Sequence, residues 1–171
     1  MATVNASHGQ AALTPDPLPL YYTAVAADAT AGGGASLSSS PVNVGDLVCY
    51  DPVQVAAGNY KYVTQALDSG EVDNRLSLAG VVVELSTDPD VVGSTGQTGA
   101  GWIKVAPVIS GHVYRVSVKA NASIVTPTPL GVVTGSFDAE AVTEGTALAY
   151  FNPTETADTS TTAALKWVIA R

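Results

Sequence analysis

The chain has 171 residues, 15 acidic against seven basic, which gives a formal net charge of −8 with only 13% of residues charged. Basic residues this few and this scattered exclude a phosphate-binding groove, which needs clustered cations, and a single cysteine, Cys49, excludes an internal disulfide and a Cys-based zinc site. A chain of this length buries roughly 70% of the surface that its unfolded form exposes, so a core forms without covalent staples.

Residues 1–40 differ in texture from the rest. Pro15, Pro17 and Pro19 alternate with other residues, and each proline fixes its own backbone and pushes its predecessor toward an extended conformation, which predicts an extended arm rather than a helix. Leu18, Leu20, Tyr21 and Tyr22 form an apolar patch suited to docking on a neighbouring subunit or a partner, whereas Gly32–Gly34 and Ser38–Ser40 are flexible-linker material. The expected division is an N-terminal arm and linker over 1–40 and a β-rich domain over 41–171. No basic stretch followed by an apolar core opens the sequence, and no run of about 18 apolar residues occurs. A soluble protein without a secretion signal or a membrane partner is the expectation.

From Pro41 the pattern tightens. Val42-Asn43-Val44-Gly45-Asp46 reads as a turn feeding a strand at Leu47–Tyr50, where Cys49 reads as a small buried hydrophobe. Asp51-Pro52 and Gly58-Asn59 close the next turns, and Asn59–Thr64 reads as a strand with Tyr60, Tyr62 and Thr64 on one face. Asp68–Asn74 is an acidic loop with enough oxygen donors to suggest a hard cation, but it lacks EF-hand spacing and reads first as a solvated loop, as does Asp88-Pro89-Asp90. Leu78–Glu84 is apolar on both faces and predicts a strand covered from both sides. The glycine-rich loop Gly93–Gly101 lacks the terminal Gly-Lys-Ser/Thr of a phosphate cradle and runs into a strand, so it predicts a hairpin or surface loop.

The stretch Gly101–Gly135 organises the chain. Two strand-like runs, Trp102–Val108 and His112–Ala120, are separated by Ser110-Gly111, and a third, Leu130–Val133, follows a Pro-rich turn. In the second run Tyr114, Val116 and Val118 fall on one face and Arg115, Ser117 and Lys119 on the other. Three such segments predict one compact antiparallel sheet. Ser136–Glu144 reads as an exposed polar connection, Thr146–Phe151 as an apolar run, and Asn152–Thr162 as a polar hairpin loop. Ala164–Ala170 reads as a strand paired inside the sheet, with Leu165, Trp167 and Ile169 alternating against Lys166 and Val168. The fold class is therefore all-β, a small antiparallel β-barrel or β-sandwich domain with an extended Pro/Gly-rich N-terminal arm.

Nothing in the sequence composes a catalytic constellation. His8 lies in the arm, and His112 follows Gly111 at a strand start, where an ordinary turn histidine is the simplest reading. The expectation is a non-enzymatic protein with no cofactor, no metal and no nucleic-acid partner.

The order Val44-Gly45-Asp46-Leu47-Val48, then Leu78-Ala79-Gly80-Val81-Val82, then Gly101-Trp102-Ile103-Lys104-Val105 with Ser110-Gly111-His112-Val113-Tyr114 resembles that of tailed-bacteriophage capsid decoration, or cement, proteins. The resemblance spans residues 42–135. It implies a structural virion protein, a β-barrel or β-sandwich module assembled in the host bacterial cytoplasm onto the outside of an icosahedral head. There it would stabilise the lattice of the major capsid protein, often as a homotrimer. The expected contacts are Leu18, Leu20, Tyr21, Tyr22 and Trp102. An alternative is a carbohydrate- or receptor-binding module of a phage fibre or surface protein, with Trp102, Tyr60 and Tyr62 stacking on sugar rings. A hydrolase using Asp68, Glu71 and Asp73 is a third.

Overall fold

Alternating β-branched and aromatic residues produce short strands along the whole chain, and most of them close into two barrels. The structure, a computed structural model, describes residues 20–24, 41–68, 73–99, 101–119, 128–132, 134–154 and 163–171. The first barrel runs in spatial order through β1 (Leu20–Ala24), β3 (Tyr62–Thr64), β2 (Leu47–Tyr50), β4 (Leu78–Leu85) and β7 (Gly101–Ala106), and β1 pairs back onto β7 to close it. A small hairpin of β5 (Val92–Gly93) and β6 (Gly96–Gln97) stands beside it, tied to the domain by a bridge between Val42 and Gln97. The second barrel takes β10 (Ala139–Ala141), β8 (Val113–Val118), β12 (Ala164–Ala170), β11 (Phe151–Pro153) and β9 (Leu130–Val132). Most pairs are antiparallel, and β1 with β3 and β8 with β10 are parallel.

The all-β class expected from the sequence is the one observed, but its strands are shared out differently. Gly101–Gly135 does not make one sheet: β7 belongs to the first barrel, whereas β8 and β9 belong to the second. Ser110-Gly111 is the crossover between them, with Gly111 at φ +82 in the left-handed region that a residue without Cβ enters freely. Leu20–Ala24, read as part of the arm, is a strand of the first barrel. Asp51-Pro52 opens a one-turn helix α1 (Pro52–Ala56) rather than a simple turn, because the Asp51 carboxylate accepts from the Gln54 amide and Pro52 is pre-set for the first helical position. The strand expected over Asn59–Thr64 is only Tyr62–Thr64; Tyr60 lies on the preceding turn in solvent and Thr64 is buried. Ser136–Glu144 is not simply exposed: Phe137 and Ala139 are buried and β10 forms there. Of the apolar run Thr146–Phe151 only Phe151 enters a strand, as the first residue of β11.

Two cores hold the barrels. Tyr22, Val48, Val63, Val82, Ile103 and Val105 fill the first, and Tyr114, Val116, Leu130, Val132, Phe151 and Val168 fill the second. Leu47, Cys49, Val81 and Ala106 belong to first-barrel strands but pack into the second core. The double-faced apolarity of Leu78–Glu84 follows: Val82 points into its own barrel and Val81 into the seam, while Val83 is exposed. At Gly80 (φ +152) a Cβ would lie 2.1 Å from the Ala106 carbonyl oxygen, so β4 and β7 approach each other only across a residue lacking one.

Candidate interaction surface

The outer face of the first barrel is built by register. In β1 the inward residues are Tyr22 and Ala24, which leaves Tyr21 and Thr23 pointing out. Thr23 pairs with Trp102 on β7 and with Tyr62 on β3, and Tyr21 pairs with Lys104. Paired residues share a face, so Tyr21, Thr23, Tyr62, Trp102 and Lys104 make one outward group on three adjacent strands. Tyr21 is 61% exposed, and Leu20, at the end of β1, is 51% exposed.

The group is fixed rather than loose. The rings of Tyr21 and Trp102 meet edge to face at 5.5 Å with an interplanar angle of 66°. Lys104 Nζ sits 5.3 Å from the Tyr21 ring centroid and donates to the Glu84 carboxylate. That carboxylate, and secondarily Tyr21, holds the Lys104 ammonium above its ordinary range. The result is an aromatic platform with a positive and a negative group at one edge. Such a platform stacks on planar or apolar partner groups while the ion pair fixes orientation.

Of the residues read from the sequence as contacts, Tyr21 and Trp102 are brought together here; Leu20 is exposed at the end of β1 but pairs with Val105 and shares the face of Tyr22 and Ala24, opposite to Tyr21. Leu18 lies outside the described residues. Tyr22 faces inward, 8% exposed, and its hydroxyl meets that of Tyr50 at 3.0 Å. Burial and that neighbour push the Tyr22 phenol up to about 12. Tyr22 is thus a core residue, a correction to its reading as a docking residue. Thr23, Lys104 and Glu84 escaped sequence reading because only strand register places them beside Tyr21, whereas Tyr62, read with Trp102 as a candidate for stacking, joins the group by pairing with Thr23. Trp102 could have pointed to Lys104, two residues on and on the same face.

Other sequence candidates resolve individually. Asp68 and Asp73 both pair with Arg75, at 2.7 and 2.8 Å, so a guanidinium occupies the position proposed for a cation; Glu71 lies outside the described residues. Those bonds pull the Asp73 carboxyl down to about 2. Cys49 is fully buried, and burial raises its thiol to about 12. His112 anchors a turn, its amide donating to the Ile109 carbonyl and its carbonyl accepting from Ala170. His8 lies outside the described residues.

Between the barrels lies a cleft of about 730 Å³, lined by Asn43, Val44, Asp46, Ser117, Asp138 and Leu165 among others. Asp46 is 3% exposed, and its carboxylate accepts from the Asn43 amide at 2.7 Å. Burial first, and the charge of Asp138 in addition, raise its pKa to about 7, against the lowering by the Asn43 amide. Asp138 receives the Ser117 hydroxyl, and its own amide donates to Ser136 Oγ. Among the described residues no helix is long and apolar enough to cross a membrane, and no group of three or more His, Cys, Asp and Glu side chains stands together as a metal site. No protein-family model matches the chain, and no curated protein matches it.

Proposed function

We propose that this chain is a structural module that docks on the outside of a tailed-phage head and stabilises the major-capsid-protein lattice, the role implied by the resemblance over residues 42–135. The observation that carries the reading is the ordered aromatic platform of Tyr21 and Trp102, braced by Lys104 and Glu84, on the wall of a closed barrel. Aromatic side chains held in one rotamer lose little entropy on binding and concentrate affinity, as interface hot spots do. Closed barrels leave the barrel strands no unpaired edge for strand addition, so contacts fall to side-chain platforms of this kind.

The test is co-sedimentation with purified heads of the phage that encodes the chain, together with the solution mass by light scattering. The expected results are a homotrimer and saturable head binding. The Tyr21→Ala/Trp102→Ala double variant should bind at least about tenfold more weakly while keeping its far-ultraviolet spectrum. Unchanged binding by a folded double variant would sink the proposal.

A second reading rests on the same platform: exposed rings beside an ion pair suit a sugar ring, as in a receptor- or carbohydrate-binding module of a phage fibre. A glycan array with selective, Trp102-dependent binding and no head binding would favour it.

A further inference from the structure

We propose that the cleft between the barrels binds a guanidinium group carried on an apolar stem, held by the carboxylates of Asp46 and Asp138 and the side-chain carbonyl of Gln65. All three residues line the cleft, whose volume of about 730 Å³ is that of a small-molecule site rather than of a bare metal ion. Asp46 comes from the turn into β2, Gln65 directly follows β3, and Asp138 directly precedes β10. The proposal is independent of what the first barrel binds.

Acceptors there lack donors. Asp46 is 3% exposed; its Oδ2 takes the Asn43 amide, and no described residue donates to its Oδ1. Asp138 is met by neutral hydroxyls, Ser117 Oγ on one oxygen and Ser136 Oγ at 3.4 Å on the other. Gln65 Oε1 is out of solvent and has no hydrogen-bond partner among the described residues. A buried acceptor without a donor is costly. Two of them and a second carboxylate round one cavity point to a ligand rich in N–H donors.

The chain does not provide that group itself. All seven of its Lys and Arg residues are described, and none lines the cleft. Arg115 and Lys119 stand two residues to either side of Ser117 and share its face, and Lys119 is taken by Glu140. Burial first, and the Asp138 charge in addition, hold the Asp46 carboxyl up at about 7, a strain that an entering cation relieves. Val44, Leu85, Phe137 and Leu165 add apolar surface to the walls, which suits an alkyl stem. A guanidinium stays charged and presents five donors in a planar fork that matches carboxylates. It occurs on free small molecules and on the arginine side chain of a partner protein.

Amide NMR of the full chain, titrated with butylguanidinium, reads the site directly. The expected result is saturable shifts confined to the amides around Asp46, Gln65 and Asp138, with a dissociation constant on the order of a millimolar. Neutral butylurea should bind at least about tenfold more weakly, as should butylguanidinium to Asp138→Asn and to Asp46→Asn. A blocked pentapeptide with one central arginine distinguishes the sources. Binding as tight as that of butylguanidinium assigns the cleft to a partner's side chain, and binding of butylguanidinium alone assigns it to a small cation; both uphold the site. No saturable shift, equal binding of butylurea, or unchanged affinity in both folded variants would overturn the proposal. So would shifts produced by calcium chloride and not by butylguanidinium. Butylguanidinium binding that required Arg115→Gln would overturn it too, since it would assign the cleft to the chain's own Arg115.

Discussion

A buried carboxylate with its pKa raised to about 7 makes Asp46 a liability near neutral pH. The folded chain holds this proton more tightly than the unfolded chain, whose carboxyl titrates near 3.8. The stability that the group leaves intact below about pH 4 is therefore lost as pH rises through about 7. At roughly 1.4 kcal/mol per pKa unit the loss amounts to a few kcal/mol. Denaturant titrations at pH 5 and pH 8 should show wild type less stable at pH 8, and Asp46→Asn should flatten that difference. Equal slopes in both proteins would refute the burial argument. The sequence showed Gly45-Asp46 as a turn entry, which it is, since the Asp46 amide donates to the Asn43 carbonyl. It could not show that Asp138, far along the chain, would face the same carboxylate, because nothing local encodes that approach.

At the level of elements, legibility followed the locality of the signal. The β8 alternation was legible in full: Tyr114, Val116 and Val118 are buried, and Arg115 and Lys119 are exposed. The two-faced β4 was legible because its composition already records both environments. β12 was legible as a strand but not in its orientation, since Leu165, Trp167 and Ile169 look like the core face until Val168 and Ala170 are seen to be what fits against Tyr114 and Phe151. Of the candidate surface, the participation of Tyr21 and Trp102 was legible and their adjacency was not. Helix α1 was missed because five residues carry no periodicity, although its cap residues were in view. Asp51→Ala should cost about 1 kcal/mol in chemical denaturation, the ordinary loss for a helix cap. No loss would show that α1 contributes nothing to the domain.

At the scale of the molecule the two barrels share a seam, since the Leu47, Cys49, Val81 and Ala106 side chains of one pack into the core of the other. Backbone bonds cross it as well, from the Leu47 amide to the Phe137 carbonyl and from the Ser117 amide to the Gly45 carbonyl. Unfolding should therefore be one transition, coincident by tyrosine fluorescence and far-ultraviolet dichroism. Gly80→Ala, which drives a Cβ into the Ala106 carbonyl at the edge of the seam, should lower stability by about 3 kcal/mol in that same transition. Two separated transitions in wild type would show that the barrels fold independently.

Closure of the first barrel through β1 also sets a timetable. Its first-made strand has no complete site until β7 arrives, because the register joins Ala24 to Gly101 and Leu20 to Val105. At 5–20 residues per second the ribosome takes on the order of ten seconds to make the intervening chain. Through that interval Leu20, Tyr21 and Tyr22 wait outside a finished wall. The nascent first barrel thus carries an adhesive strand from the synthesis of β1 until that of β7, and crowding or slowed translation should penalise its yield more than the stability of the finished fold would suggest.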